Sequence, residues 1–279
     1  MNESISFIGV GFMGEGMGHN LLKKGFALTV MAHRNREPVE RLVTAGASEV
    51  NNVKEMAQNC SVIFLCVTGS PQVEAVVLGT DGILANAKPG TVIIDCSTSD
   101  PVSTGKLDAA ARAVGMHLVD APLGGTPKEA ATGNLSAMVG ADDAVFERVQ
   151  PIIAAWAANI SHLGKVGLGH TMKLVNNFLS MGYAALYSEA LVLARKAGLT
   201  VEQFHGVIGS GRMRCGFYDS CMKWSVEGDP TAHVFTRTNA DKDMRYASSL
   251  VNDLGGSAPL QSLVRASYAC MSSRRCGPE

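Results

Sequence analysis

The feature that most constrains the fold is Gly9-x-Gly11-x-x-Gly14, set directly after the apolar run Ile5-Ser6-Phe7-Ile8 in a chain of 279 residues. The run reads as a strand, the glycines break it, and the stretch from Gly14 reads as a helix. In a strand-turn-helix unit, Gly9 permits the tight turn, Gly11 lets a pyrophosphate approach the backbone, and Gly14 lets helix and strand pack closely. The amides at the helix start supply an anion site. A dinucleotide is the expected ligand, with Phe12 and Met13 in the same turn; a glycine-rich turn without a ligand is the alternative.

The pattern downstream supports a nucleotide-binding unit. Apolar runs at 5–8, 26–31, 61–67, 91–95 and 116–120, with later ones near 136–139 and 159–163, alternate with helix-like stretches at 14–24, 37–45, 53–58, 71–77, 102–113 and 142–156. Strands separated by helices imply a parallel sheet covered on both faces. Beyond "LGKVGLGH", which ends at His170, the period changes. Residues 171–197 carry one long helix, and shorter helices follow around 201–208, 216–226, 239–253 and 259–272. The expected architecture is α/β: a Rossmann-type NAD(P)-binding domain over 1–162, followed by an all-helical domain over 163–279 joined through the long helix.

A formal net charge of -1 argues against a general polyanion binder, so no nucleic-acid partner is expected. The apolar stretch 174–194 is interrupted by Asn176, Asn177 and Glu189, which argues against a membrane span. Seven cysteines show neither CxxC pairing nor metal-ligand spacing. They read as thiols of a reduced compartment, with Cys276 exposed in a polar tail. No metal is expected, and neither a leader pattern nor a span is seen, so a cytoplasmic location is expected.

The end of the second strand bears on cofactor type. An NAD site usually places an acid there for the ribose hydroxyls. This chain has His33-Arg34-Asn35-Arg36, and the first acid is Glu37. Arg suits a 2′-phosphate, so NADP is preferred over NAD, the alternative being a solvated cationic turn. Cys66, Val67 and Thr68 after the third main strand, and Thr98 after the fourth, fall where ligands collect in parallel sheets. Thr68 and Ser70 read equally well as helix caps before Pro71.

Four segments, in order, resemble motifs of the β-hydroxyacid dehydrogenase family: "FIGVGFMGEGMGHNLLKKG", "DAPLGGTPKEAATGNL" from Asp120, "GHTMKLVNNF" from Gly169, and Lys242-Asp243. The resemblance runs nearly end to end. It implies reversible hydride transfer between a nicotinamide cofactor and a small 3-hydroxy acid or its semialdehyde, and a homodimer or homotetramer. It further implies that Lys173 is the catalytic acid and base, that Asn177 one turn later fixes the lysine or the substrate oxygen, and that Leu123-Gly124-Gly125-Thr126 binds a small carboxylated substrate. The loop departs from the family, where serine is usual at 124 and glycine at 126. Phe235 and Lys242 match positions that close over substrate and nicotinamide, and Arg212 is a candidate to compensate for missing loop contacts. Two other readings are an imine reductase and a non-catalytic NADP-binding regulator; Lys173 and Asn177 argue against both.

Overall fold

A computed structural model describes residues 3–229, 231–232 and 235–272. The chain divides into two compact units, Met1–Lys173 and Leu174–Glu279.

The first unit runs β1 (Ser4–Ile8), α1 (Gly14–Lys23), β2 (Ala27–Val30), α2 (Glu37–Thr44), β3 (Ser48–Glu49), α3 (Val53–Asn59), β4 (Val62–Leu65), α4 (Ser70–Leu78), α5 (Ile83–Asn86), β5 (Val92–Asp95), α6 (Pro101–Ala113) and β6 (His117–Asp120). Then come β7 (Leu123–Gly124), α7 (Pro127–Thr132), β8 (Leu135–Val139), α8 (Asp143–Ile153) and β9 (Ala157–His162). The six-stranded sheet has the order β3-β2-β1-β4-β5-β6, and all its pairings are parallel. Its central strands are apolar on both sides because helices cover both faces. One face packs Phe7, Phe64 and Ile94 with Met17, Leu21 and Trp156; the other packs Ile63, Leu65 and Ile93 with Val73, Leu107 and Met116.

Strand order reverses between β1 and β4, and ligands of such sheets bind outside the carboxyl ends of the strands at that switch point. The glycine turn lies there. A second, three-stranded sheet, β7-β8-β9, carries the loop that follows Asp120.

The long helix α9 (Leu168–Lys196) starts in the first unit and continues into the second. The second unit continues with α10 (Val201–Ile208), α11 (Gly216–Glu227), α12 (Arg237–Asp253) and α13 (Pro259–Ser272). Leu174 and Met181 of α9 pack with Ala240, Met244 and Ala247 of α12. Tyr218 and Met222 of α11 pack with Phe204 of α10. This is the expected class, a parallel-sheet nucleotide-binding unit followed by helices alone.

Cysteines at 60 and 96 are buried, whereas Cys215 at the start of α11 is exposed. Cys276 lies outside the described residues. Among the described residues, no helix is long and apolar enough to cross a membrane, and no group of His, Cys, Asp or Glu is placed to hold a metal ion.

Candidate active site

The turn after β1 has the geometry its glycines predict. Gly9 sits at φ +98°, and a Cβ there would collide with the Cys66 carbonyl at the end of β4. A Cβ on Gly14 would meet the Gly9 carbonyl and come within 2.8 Å of the Phe7 ring. Around Gly11, by contrast, nothing lies within 4 Å of where a Cβ would stand. The three positions therefore do different things: two hold the backbone close, and one leaves space for a ligand. No side chain caps α1, whose N-cap residue is Met13; Glu15 N donates to the Gly11 carbonyl at 3.0 Å, and the helix start is otherwise left uncapped by side chains, as an anion site at a helix N-terminus requires. Phe12 is 91% exposed on the same turn. These features fit a dinucleotide.

His33, Arg34, Asn35 and Arg36 follow β2, and all four are exposed. Two of them have local duties. Asn35 Oδ1 accepts from Glu37 N at 3.1 Å, and Arg36 pairs with Glu49 of β3 at 3.0 Å and with Glu40 at 3.6 Å. Glu37, the first acid after the strand, pairs with Arg41 at 3.8 Å.

At the ends of β4 and β5 the loops are tied to each other. Ser97 Oγ accepts from Val67 N at 3.0 Å, and Ser70 Oγ accepts from Asp100 N at 2.7 Å. Ser70 is thus a cross-loop tie; Gly69 holds the N-cap position of α4. Cys66 and Val67 are half-buried, Thr68 is exposed and Thr98 is half-buried along the same edge. Burial raises the Cys66 thiol to about 12, with the Asp95 carboxylate adding to the effect.

Two distant motifs meet at the start of α9. Asp120, fully buried at the end of β6, accepts from Gly167 N and from His170 N, both at 2.7 Å. Those amides have no partner within the helix, so Asp120 caps α9 from another element. Gly169 allows the approach: a Cβ there would come within 2.8 Å of Asp120 Oδ2. Burial raises the Asp120 carboxyl above its ordinary value, against the opposing pull of His170 and of the two amides.

His170 is itself buried, with Nδ1 2.8 Å from Thr104 Oγ1 and Nε2 3.1 Å from the Ser97 carbonyl. A carbonyl only accepts, so Nε2 carries a proton. Asp95 and Asp120 lie 3.7 and 3.8 Å from the ring nitrogens. The first turn of α9 is therefore fixed to the ends of β5 and β6 and to α6.

Three residues beyond His170, half-buried Lys173 donates from Nζ to the Leu123 carbonyl at 2.6 Å. That oxygen is available for a structural reason. Strand β7 is an edge strand antiparallel to β8. Asp120 and Gly140 exchange backbone bonds, and Met138 N donates to Pro122 O. The alternation of such a ladder leaves Leu123 in a non-bonded pair, with its carbonyl turned away from β8. Thus the segment from Asp120 to Leu123 holds α9 at its amide end and holds the lysine ammonium one residue short of Gly124.

In the second unit, Asn177 is buried and donates from Nδ2 to Asp243 Oδ2 at 2.7 Å. Lys242 Nζ is 3.1 Å from Asp243 Oδ1 and 5.3 Å from the centre of the Tyr246 ring. Lys242-Asp243 is therefore a built-in pair of α12 joined to Asn177 of α9. Arg212, in the turn after α10, and Phe235, just before α12, are both exposed.

The comparisons with known proteins agree with this fold. A family model described as the NAD binding domain of 6-phosphogluconate dehydrogenase matches residues 4–164. A second, described as NAD-binding of NADP-dependent 3-hydroxyisobutyrate dehydrogenase, matches residues 167–278. The 2-(hydroxymethyl)glutarate dehydrogenase of Eubacterium barkeri is 36% identical over 98% of this chain and 90% of its own. The chain belongs to the β-hydroxyacid dehydrogenase family. The 3-sulfolactaldehyde reductase of Escherichia coli is 31% identical over 95% of this chain and 89% of its own. The 3-hydroxyisobutyrate dehydrogenase of Mycobacterium tuberculosis, solved with L-serine, superposes with a TM-score of 0.87 at 28% identity, covering 98% of this chain and 95% of that one. This member is accordingly an NAD(P)-dependent oxidoreductase that interconverts a hydroxy acid and its semialdehyde.

Proposed function

We propose that the protein reduces a short aldehyde bearing an acid group, and oxidises the matching 3-hydroxy acid, with Lys173 as proton donor and acceptor. The observation that carries this reading is the 2.6 Å bond from Lys173 Nζ to the Leu123 carbonyl, which aims an ammonium at the loop of the substrate motif. Bound nicotinamide supplies or accepts the hydride. Reduction of an aldehyde builds negative charge on its oxygen, and a fixed ammonium stabilises that charge and delivers a proton. In oxidation the neutral amine takes the hydroxyl proton. Asn177, one turn further along α9, has its amide nitrogen engaged by Asp243 and its side-chain oxygen 3.5 Å from Asn176 Nδ2, a long contact that leaves that oxygen a second lone pair to accept from the reacting hydroxyl.

The preferred cofactor is NADP. Support comes from the lack of an acid directly after β2 and from exposed His33 and Arg34, Arg being suited to a 2′-phosphate. Arg36, engaged with Glu49, contributes to the field of that turn more than to a direct contact. The chain acts as a homodimer or homotetramer: Val175, Leu179, Tyr183, Leu186 and Leu193 of α9 are exposed at helical spacing, an apolar stripe suited to a second copy. A reduced, cytoplasmic setting is part of the same reading.

The test is initial-rate loss of NADPH or NADH absorbance against a panel of short carboxylated, sulfonated and uncharged aldehydes. Turnover of an acid-bearing aldehyde with NADPH ahead of NADH is expected. Failure of every acid-bearing member would overturn the substrate class, and an NADH preference would overturn the cofactor choice.

A further inference from the structure

Most of the donors in loop 123–126 serve the protein itself. Thr126 N donates to Glu129 Oε2 at 2.8 Å, its hydroxyl donates to the same oxygen, and that hydroxyl accepts from Lys128 N at 3.3 Å. This is the capping box of α7, which occupies both polar groups of Thr126. In the β7/β8 ladder, Gly124 and Ser136 form the next hydrogen-bonded pair after Pro122 and Met138, so the Gly124 amide is engaged as well. Gly124 brings no side chain. Within the loop this leaves backbone amides but no side-chain donor for an acid group, so a side-chain donor must come from elsewhere.

Ser136 is placed to be that donor. It is the register partner of Gly124, and a Cβ built on Gly124 would stand 3.4 Å from Ser136 Cβ, which puts both positions on one face of the small sheet. Leu135, Ala137 and Val139 turn into the core, leaving Ser136 and Met138 half-buried on the opposite face. Met138 Cε lies 3.7 Å from the same built atom and supplies an apolar wall. Among the described residues, the Ser136 hydroxyl has no hydrogen-bond partner. Gly124 directly follows the residue whose carbonyl holds Lys173, so the Ser136 position lies across the ladder from the residue next to that carbonyl.

We propose that Ser136 determines specificity by donating its hydroxyl to the acid group of the substrate, in place of a hydroxyl that residue 124 lacks. The proposal rests on the reading of the Lys173 site given above. The glycine and the serine form a cross-strand pair, in which the hydroxyl comes from β8 and the space over Gly124 is left to the acid group.

The experiment compares the full-length wild type, Ser136→Ala and the double variant Ser136→Ala/Gly124→Ser, using an acid-bearing semialdehyde and an uncharged aldehyde of equal length. A hydrogen bond to a charged group corresponds to roughly a tenfold to hundredfold effect on affinity. Ser136→Ala is expected to raise KM for the semialdehyde by that factor, leaving kcat within a few fold and KM for NADPH and for the uncharged aldehyde unchanged. Gly124→Ser in the same chain is expected to recover most of the loss. An unchanged semialdehyde KM in Ser136→Ala, or an equal rise for both aldehydes, overturns the proposal. Absence of semialdehyde turnover in the wild type would instead overturn the substrate reading, and this proposal with it.

Discussion

Asn177 and Asp243, 66 positions apart, are joined by a 2.7 Å side-chain hydrogen bond in which both partners are buried. The bond fixes the orientation of the Asn177 amide, and the 3.1 Å pair between Lys242 and Asp243 Oδ1 fixes the carboxylate in turn. Replacing Asp243 by Ala leaves a buried amide and a partly buried ammonium without this partner, a cost of about 1–3 kcal/mol each. A lower Tm and a tenfold or greater fall in kcat/KM are expected. Asp243→Asn retains an acceptor for Asn177 and should keep more activity; thermal melts and initial rates on both variants check the ordering.

The glycine turn offers a separation of stability from binding. Gly9→Ala places a side chain at φ +98° against the Cys66 carbonyl, and both stability and cofactor affinity should fall, the backbone strain alone costing about 1–2 kcal/mol. Gly11→Ala meets nothing within 4 Å, so Tm should be retained while NADPH affinity drops. Fluorescence titration with NADPH alongside melting curves distinguishes the two.

Asp120 caps α9 through Gly167 N and His170 N. Asp120→Ala strands two buried amide donors, with an expected loss of about 2–5 kcal/mol, read by denaturant unfolding. Because this turn carries Lys173, activity remaining in the folded fraction should also fall. His170→Ala removes the ring between Thr104 and Ser97 but leaves the cap, and should be milder in stability.

Acid sensitivity should come in part from Glu3. Its hydrogen bonds from Arg148 hold the carboxyl below the ordinary range against the opposing effect of burial, with Ser61 adding to the lowering. A carboxyl lowered in the folded state contributes stability above its unfolded value, and that contribution is lost as pH falls through the folded value. Unfolding followed from pH 7 downwards should show Glu3→Gln less stable than wild type at neutral pH, with the gap closing in acid.

Much of this architecture is legible along the chain because β1, β4, β5 and β6 are mostly buried apolar runs, β2 alternates exposed with buried, and the helices between them have clear boundaries. The missing elements are short. β3 is Ser48–Glu49, both exposed, and β7 is Leu123–Gly124, so neither is long enough to show alternation. α7 did leave a signal, Thr126-Pro127-x-Glu129, which is a capping box with proline at the first helical position. The motif resemblance absorbed those residues into a substrate loop and hid their structural duty. The pairings of Asp120 with α9, of Asn177 with Asp243 and of Arg36 with Glu49 left no local trace, since each partner is supplied by another element. Ser136 was silent for the same reason: its relation to Gly124 exists only in the register of two strands.

Lys173 is central, and one comparison tests it most directly: kcat/KM for the preferred semialdehyde in wild type and in Lys173→Ala, with NADPH affinity measured on both by fluorescence. A proton donor in this position contributes about 10²–10⁴-fold. The expected result is a fall in kcat/KM of that size with NADPH affinity unchanged. Turnover within a few fold of wild type in Lys173→Ala, with the cofactor still bound, would contradict the assignment.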